Sequence, residues 1–255
     1  MHRFFIPSEW IKQDGVVITD RLAHQLKSVL RLGRGDSVIV LDNSGWEYEV
    51  ELEKVDRVSA LGIIKSRKPS QGEVVMQVTL YQALLKSNKF ELVLQKGTEL
   101  GVKRFVPLIC ERCTNREIAN IDHHRLSRWQ RIIQEAAEQS GRGRLPLLSY
   151  PVFFKEACDS TSGLSFLAWE KEKARGLKTV LQSCIKEDKI ERPLSINIFI
   201  GPEGGLTLEE VEFARSRGIL SISLGNRLLR SETAGLVVTA AILYEYNELG
   251  DERTW

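Results

Sequence analysis

Residues 46–53 (WEYEVELE) alternate apolar and charged positions with a period of two, the pattern of a half-buried strand. Residues 37–42 (SVIVLD) and 58–64 (VSALGII) predict two more strands, and Asn43-Ser44-Gly45 supplies the turn between the first pair. One short helix precedes them. Asp20 is its expected cap, Leu22, Leu26, Val29 and Leu30 its apolar stripe, and Gly33 its stop. Short strands, tight turns and one helix predict a small β-barrel. The polar segment KSRKPSQGE (65–73) reads as a linker, giving domains of 1–72 and 73–255.

From Val74 the pattern changes to strand alternating with helix. Strand-like runs occupy 75–82, 103–110, 163–170, 195–201 and 220–225. Helical stretches occupy 90–100, ended by Gly101, and 121–140, capped by Asp122 and stopped by Gly141. Another starts at Thr207 with Glu210 three residues on, a capping box, and a strongly apolar one runs from about Ser231 to Leu249. This alternation predicts an α/β domain with a mainly parallel sheet covered by helices on both faces. In such sheets ligands sit beyond the carboxyl ends of strands, so the loops after residues 170, 200 and 224 are where chemistry is expected.

Composition narrows the class without naming it. The chain of 255 residues is 42% hydrophobic and 27% charged, which excludes a disordered or collagen-like polymer. No stretch approaches the roughly 20 apolar residues of a membrane span, and the start MHRFFIPSEW lacks the apolar core of a secretion signal. Four cysteines make no disulfide framework, so a cytoplasmic location is expected. Net charge is only +2, but residues 103–144 hold nine Lys/Arg against five Asp/Glu, and residues 201–255 hold five against nine. A basic middle and an acidic end could steer an anionic polymer; a solvated charge mosaic is the plainer alternative.

Gly201-Pro202-Glu203-Gly204-Gly205 follows the apolar run INIFI, and its glycines permit close backbone approach or a positive φ. A tight strand-to-helix turn needs the same residues. Neither common phosphate-cradle motif occurs. Leu224-Gly225-Asn226-Arg227-Leu228-Leu229-Arg230-Ser231-Glu232-Thr233-Ala234 follows another strand and enters the last helix. Arg227 and Arg230 suit anion or RNA-backbone contact, Ser231 could cap the helix, and Glu232 suits its first turn. Cys110-Glu111-Arg112-Cys113 has redox or zinc spacing, but it has no second such pair and no suitably spaced histidine, so no metal site is expected. The only histidines are His2, His24, His123 and His124, and His24 is expected to be structural. Basic residues recur at Arg3, Arg31, Arg34, Lys86, Lys89, Lys96, Arg112, Arg116, Arg142 and Arg144, where separated loops could act together on phosphates.

The stretches HQLKSVLRLGRGD (24–36), LVLQKGTELGV (92–102), ERC (111–113), EQSGR (138–142), IGPEGG (200–205) and LGNRLLRSETA (224–234) run in order across nearly the whole chain. Together they resemble the ribosomal RNA small-subunit methyltransferase E family (RsmE), within the SPOUT class. The resemblance implies a PUA-like RNA-binding barrel followed by a SPOUT domain whose carboxyl end forms a trefoil knot. Periodicity cannot show a knot, which breaks the usual connection rules. It also implies a homodimer, S-adenosylmethionine as cofactor, and methylation of N3 of a uridine in 16S ribosomal RNA.

The family's functional residues carry over to matching positions here. Leu167, Glu170, Ile200, Gly201, Pro202, Glu203, Gly204, Gly205, Leu224, Gly225, Leu228, Leu229, Thr233 and Ala234 would wrap the cofactor. Arg230 would stabilise charge on the uracil ring, and Glu232 would orient it or assist proton removal. Arg3, Arg31, Lys86, Lys96, Arg112, Arg142 and Arg144 would contact RNA. Trp169 departs from the family pattern and would reshape the pocket rim. The competing readings are a related SPOUT enzyme acting on another RNA, a non-catalytic RNA-binding or ribosome-assembly protein, and a Cys-x-x-Cys redox or zinc protein.

Overall fold

The structure is a computed structural model that describes residues 1–86, 88–114, 118, 121–186 and 195–250. Arg116, one of the basic candidates, lies outside the described residues. The chain divides into two units, Met1–Glu73 with Gln134–Leu145, and Val74–Ile133 with Pro146–Trp255.

The first unit is built on a five-stranded mixed sheet in the order β1-β3-β4-β5-β2. These are β1 (Arg3–Phe5), β2 (Gly15–Thr19), β3 (Ser37–Leu41), β4 (Trp46–Val55) and β5 (Ser59–Pro69). β1 runs parallel to β3, and the other pairs are antiparallel. Register shifts between Glu49 and Val50 and between Leu52 and Lys54 fall in the long β4–β5 pair, where bulges increase bend and twist. Phe4, Val16, Ile18, Ala23, Leu26, Val38, Val40, Val50 and Leu52 form its core.

Two expectations for this unit are corrected. The segment read as a linker from residue 65 continues β5 to Pro69. Its polar residues find partners across the sheet, with Lys65 on Glu51, Ser66 on Glu49, Lys68 on Glu47, and the Arg67 guanidinium 4.3 Å from the Trp46 ring centroid. The helix α1 (Asp20–His24) has Thr19 at its cap position with no side-chain capping bond, because Asp20 itself adopts a left-handed φ of 57°. It continues as one π-helical turn over Gln25–Val29 and stops at left-handed Arg31 rather than at Gly33. Ala23 and Leu26 carry the buried stripe, whereas Val29 and His24 are exposed.

The second unit holds β6 (Gln77–Ala83), β7 (Arg104–Ile109), β8 (Leu147–Leu148), β9 (Val152–Phe153), β10 (Leu164–Ala168), β11 (Ser195–Ile200) and β12 (Leu220–Ile222). The order is β12-β10-β11-β6-β7-β8, with β9 also on β7, and every pairing is parallel. Its helices are α2 (Lys89–Leu100), α3 (His123–Ser140, whose last turns belong to the first unit), α4 (Phe154–Ser160), α5 (Leu177–Lys186), α6 (Leu208–Ser216) and α7 (Ser231–Glu245).

The strands are apolar on both faces, as parallel strands buried between helices must be. One core gathers Val78, Leu80, Ile196, Ile198 and Phe166 with Phe90, Val93 and Leu94 of α2 and Val238 and Ile242 of α7. The other gathers Leu167 and Phe199 with Phe154 and Ala157 of α4 and Val211 and Ala214 of α6. Expected helix stops and caps hold at Gly101 (φ 102°), at Asp122, which accepts from the Arg125 amide, and at Thr207, where both halves of the capping box form. Ser231 is not the cap of α7. Arg230 holds that position without a side-chain capping bond, and Ser231 is the first helical residue.

Candidate active site

Three loops leave the carboxyl ends of neighbouring parallel strands β10, β11 and β12 and enclose a cleft of about 830 Å³. Residues 168–173 form one wall, 200–206 a second, and 223–232 with Ala234 a third, with Lys89 of α2 beside them.

The second wall is a tight turn. The Gly205 amide bonds the Pro202 carbonyl at 2.9 Å, and Gly205 has a φ of +71°. A Cβ on Gly201 would stand 2.8 Å from Leu206 Cγ, so the turn needs glycine there. The ERC segment holds this turn from outside. Arg112 donates to the Gly204 carbonyl at 2.8 Å, the Glu111 amide donates to Glu210, and Thr207 donates to the Glu111 carboxylate. The first wall is fixed by Glu172, which accepts from Ser221, Arg215 and the Ala174 amide. The Ser221 bond is the largest influence; with the Ala174 amide and Arg215 it outweighs burial and brings the carboxyl down to about 2. Arg215 also stands 5.3 Å from the Trp169 ring centroid, and the buried Trp169 Nε1 has no hydrogen-bond partner.

The third wall runs into α7, whose head is tied to the sheet centre. Ser231 donates to the Gly201 carbonyl and accepts from Gln82 Nε2 at 3.0 Å. Glu203 accepts from Lys89 at 3.1 Å and from the Lys86 amide at 3.2 Å. Burial opposes ionisation of Glu203, but these bonds and the Lys89 charge hold its carboxyl below the usual value. Glu232 is buried. Its Oε1 lies 3.7 Å from Lys89, and its Oε2 has no hydrogen-bond partner.

Of the expected cofactor positions, Glu170, Ile200, Gly201, Pro202, Glu203, Gly204, Gly205, Leu224, Gly225, Leu228, Leu229 and Ala234 line this cleft, together with Arg230 and Glu232. Two expected residues stand outside the lining. Leu167 is packed in the α4/α6 core, and Thr233 is exposed on α7. Lys89, Glu172, Lys173 and Ser223 line the cleft without having been expected there; the sequence grouped Lys89 only with scattered cations.

The expected RNA contacts divide by exposure. Arg31, Lys86 and Arg144 are exposed. Lys96 pairs with Glu99, Arg112 is bonded to Gly204, and Arg3 pairs with the buried Glu47. Arg142 is 2% exposed, with its guanidinium on Glu73, so it presents no surface to a phosphate. Cys110 and Cys113 are both free. The Cys110 amide donates to Cys113 Sγ at 3.3 Å; the side-chain hydrogen bond between the two thiols, followed by burial, pushes the Cys110 thiol well up. Among the described residues no cluster of three or more His, Cys, Asp or Glu side chains could hold a metal, and no helix is long and apolar enough to cross a membrane.

A parallel sheet whose carboxyl ends carry a glycine-lined cleft, closed by a helix head bearing Arg230 and Glu232, is the framework of a transferase that holds a small cofactor beside a large substrate. Residues 72–243 match the RNA methyltransferase domain family, and the chain belongs to it. It is 35% identical over 94% of its length to the ribosomal RNA small subunit methyltransferase E of Synechocystis sp., covering 77% of that protein. To the Bacillus subtilis protein of the same name it is 32% identical, over 99% of this chain and 100% of the relative. The crystal structure of the Neisseria gonorrhoeae ribosomal RNA small subunit methyltransferase E, bound to S-adenosyl methionine, superposes with a TM-score of 0.82 at 28% identity, over 96% of this chain and 97% of that one.

Proposed function

We propose that this chain transfers the methyl group of S-adenosylmethionine to N3 of a uridine in 16S ribosomal RNA. The observation that carries the reading is the cleft: two glycine-bearing turns and the head of α7, in a member of the RNA methyltransferase family. The names of the relatives support the small-subunit RNA, and the cofactor bound to the Neisseria protein supports the methyl donor.

The residues fit that cofactor. The cleft volume lies in the range of about 300–1,000 Å³ common for small-molecule sites. Ile200, Leu206, Leu224 and Leu229 offer apolar cover, while Gly201, Gly204, Gly205 and Gly225 bring backbone to the cleft with no side chain in the way. Glu232 belongs to the same lining, and its buried Oε2 has no hydrogen-bond partner. When bound, S-adenosylmethionine supplies an electrophilic sulfonium methyl. The chain then has to supply position, charge and a proton acceptor. The N3 imide proton must leave, and the ring oxygens gain negative charge. Arg230, an exposed residue of the cleft lining, stabilises that charge; its guanidinium has donors and no acceptor, so it is no base. Glu232 takes the proton. Because N3 is occupied in a base pair, the target uridine is unpaired or turned out of its stack.

The same reading includes the SPOUT trefoil knot. In its support, the chain leaves β12 at the sheet edge, and α7 begins against Gly201 of the β11 loop and Gln82 of β6, strands further inward. The bulged mixed sheet of the first unit supports a PUA-like barrel, with the first 72 residues as the RNA-binding domain and residues 73–255 as the methyltransferase domain. Exposed Leu228, Val237 and Tyr244 on the 223–245 segment support a homodimer, and the thiols of Cys110, Cys113 and Cys158, free of disulfides, suit the cytoplasm.

The test is methyl transfer from labelled S-adenosylmethionine to small ribosomal subunits lacking this modification, with the product nucleoside identified, for wild type and Arg230→Ala. A 3-methyluridine product that disappears in the variant is expected. Cofactor binding with no transfer would redirect the search to another RNA, and no cofactor binding would leave an RNA-binding protein.

A further inference from the structure

Lys89 opens α2 with its side chain two-thirds buried, and it reaches two carboxylates at once: Glu203 at 3.1 Å and Glu232 at 3.7 Å. The Lys86 amide holds Glu203 a second time. Glu232, which lines the cleft, has no such second hold: its Oε2 is buried and without a hydrogen-bond partner. Two carboxylates drawn to one point repel each other, and one of them is largely out of water. Without a cation between them, burial and like charge both favour a proton on one carboxyl or withdrawal of its side chain.

We propose that Lys89 is a positioning residue of the methyl-transfer site: by clasping Glu203 and Glu232 together it holds the Glu232 carboxylate in the cleft wall, where it takes the imide proton of the target base. The inference rests on the reading of Glu232 as proton acceptor. Lys89 from α2 is the salt-bridge partner of Glu232; the other charged side chains of the cleft lining are Glu170, Glu172, Lys173, Glu203, Arg227 and Arg230. Because the ammonium is committed to two carboxylates, its loss acts on turnover rather than on capture of RNA.

The experiment compares full-length wild type, Lys89→Met, Lys89→Arg, Glu232→Gln and the Lys89→Met/Glu232→Gln double variant. It reads kcat and KM for undermodified small subunits across pH, and cofactor affinity by calorimetry. Lys89→Met is expected to lower kcat about 30-fold, part of the 10²–10⁴ a general base contributes. KM for the subunit and cofactor Kd stay within about threefold, Lys89→Arg recovers most of kcat, and the double variant is no slower than Glu232→Gln. Unchanged kcat in Lys89→Met overturns the proposal. So does a loss confined to KM, which marks a phosphate contact, or a loss of cofactor binding or folding that Lys89→Arg does not rescue, which marks a framework role. If Glu232→Gln keeps full kcat, the acceptor reading fails and takes this one with it. A slow Glu232→Gln beside a fast Lys89→Met removes the role of Lys89 alone.

Discussion

Glu172 fixes the loop that carries Trp169 and Glu170 to the cleft, and its replacement by glutamine gives a result whose sign is set by pH. Ser221, Arg215 and the Ala174 amide all donate to its carboxylate, whose side chain is 7% exposed. The Ser221 bond leads the causes that bring the folded pKa to about 2, against an ordinary 4.5. A depressed folded value means that the stabilisation is complete above the unfolded pKa and fades as pH falls from 4.5 toward 2. The separation of about 2.5 pH units, at about 1.36 kcal/mol each, makes the ionised group worth about 3 kcal/mol at pH 7 and roughly half of that at pH 3. Glu172→Gln keeps the shape and one acceptor oxygen but removes the charge. Urea unfolding at the two pH values is expected to show the variant about 3 kcal/mol less stable at pH 7, with the gap to wild type roughly halved at pH 3. A gap of the same size at both, or one below about 0.5 kcal/mol at pH 7, would refute the assignment of stability to the carboxylate.

Ser231→Ala removes the hydroxyl that joins Gln82 to the Gly201 carbonyl. It is expected to lose about 2 kcal/mol in urea unfolding and to weaken S-adenosylmethionine binding in calorimetry; two unchanged values would show that the joint is dispensable. Thr207→Ala breaks the capping box of α6, and about 1 kcal/mol of stability should go with it, measured by the same denaturation. Gly97→Ala inverts the usual helix preference. Alanine normally gains about 1 kcal/mol over glycine in a helix. Here its Cβ would stand 2.7 Å from Phe105 Cε1, so a net loss of about 1–3 kcal/mol is expected, and a raised melting temperature would count against that packing.

Features governed by neighbours in sequence were legible. Thr207 and Glu210 are three residues apart, and Gly101 directly follows its helix, so local rules found both. The residues of the parallel sheet were legible because strands buried on both faces are apolar throughout, and the loops after β10, β11 and β12 followed from that sheet. Features settled across the fold were not. Residues 65–69 look like a linker until Glu47, Glu49 and Glu51 stand opposite. β8 and β9 are two residues each, too short to leave a period. Arg142 resembles any loop cation, and only the carboxylate of Glu73 makes it an interior residue. Lys89 lies 114 positions from Glu203, and no spacing rule connects them. Trp169, expected at the rim, and Glu170, expected at the cofactor, lie past the end of β10 and line the cleft, while Leu167 is still inside the strand and packs in the core.

The hydroxyl of Ser231 bears on the order in which the protein becomes competent during synthesis. It joins Gln82, made early, to Gly201 and the start of α7, made late. The walls around it come from residues 168–173, 200–206 and 223–234, so no shorter nascent chain can enclose the methyl donor. Ligand affinity therefore arises only once translation has passed Ala234 and the emerged segment has docked. From then on the ligand adds stability by mass action, by RT ln(1 + [L]/Kd), to finished chains alone. Abundant S-adenosylmethionine in a cell would thus protect completed enzyme from proteolysis and leave stalled fragments unprotected.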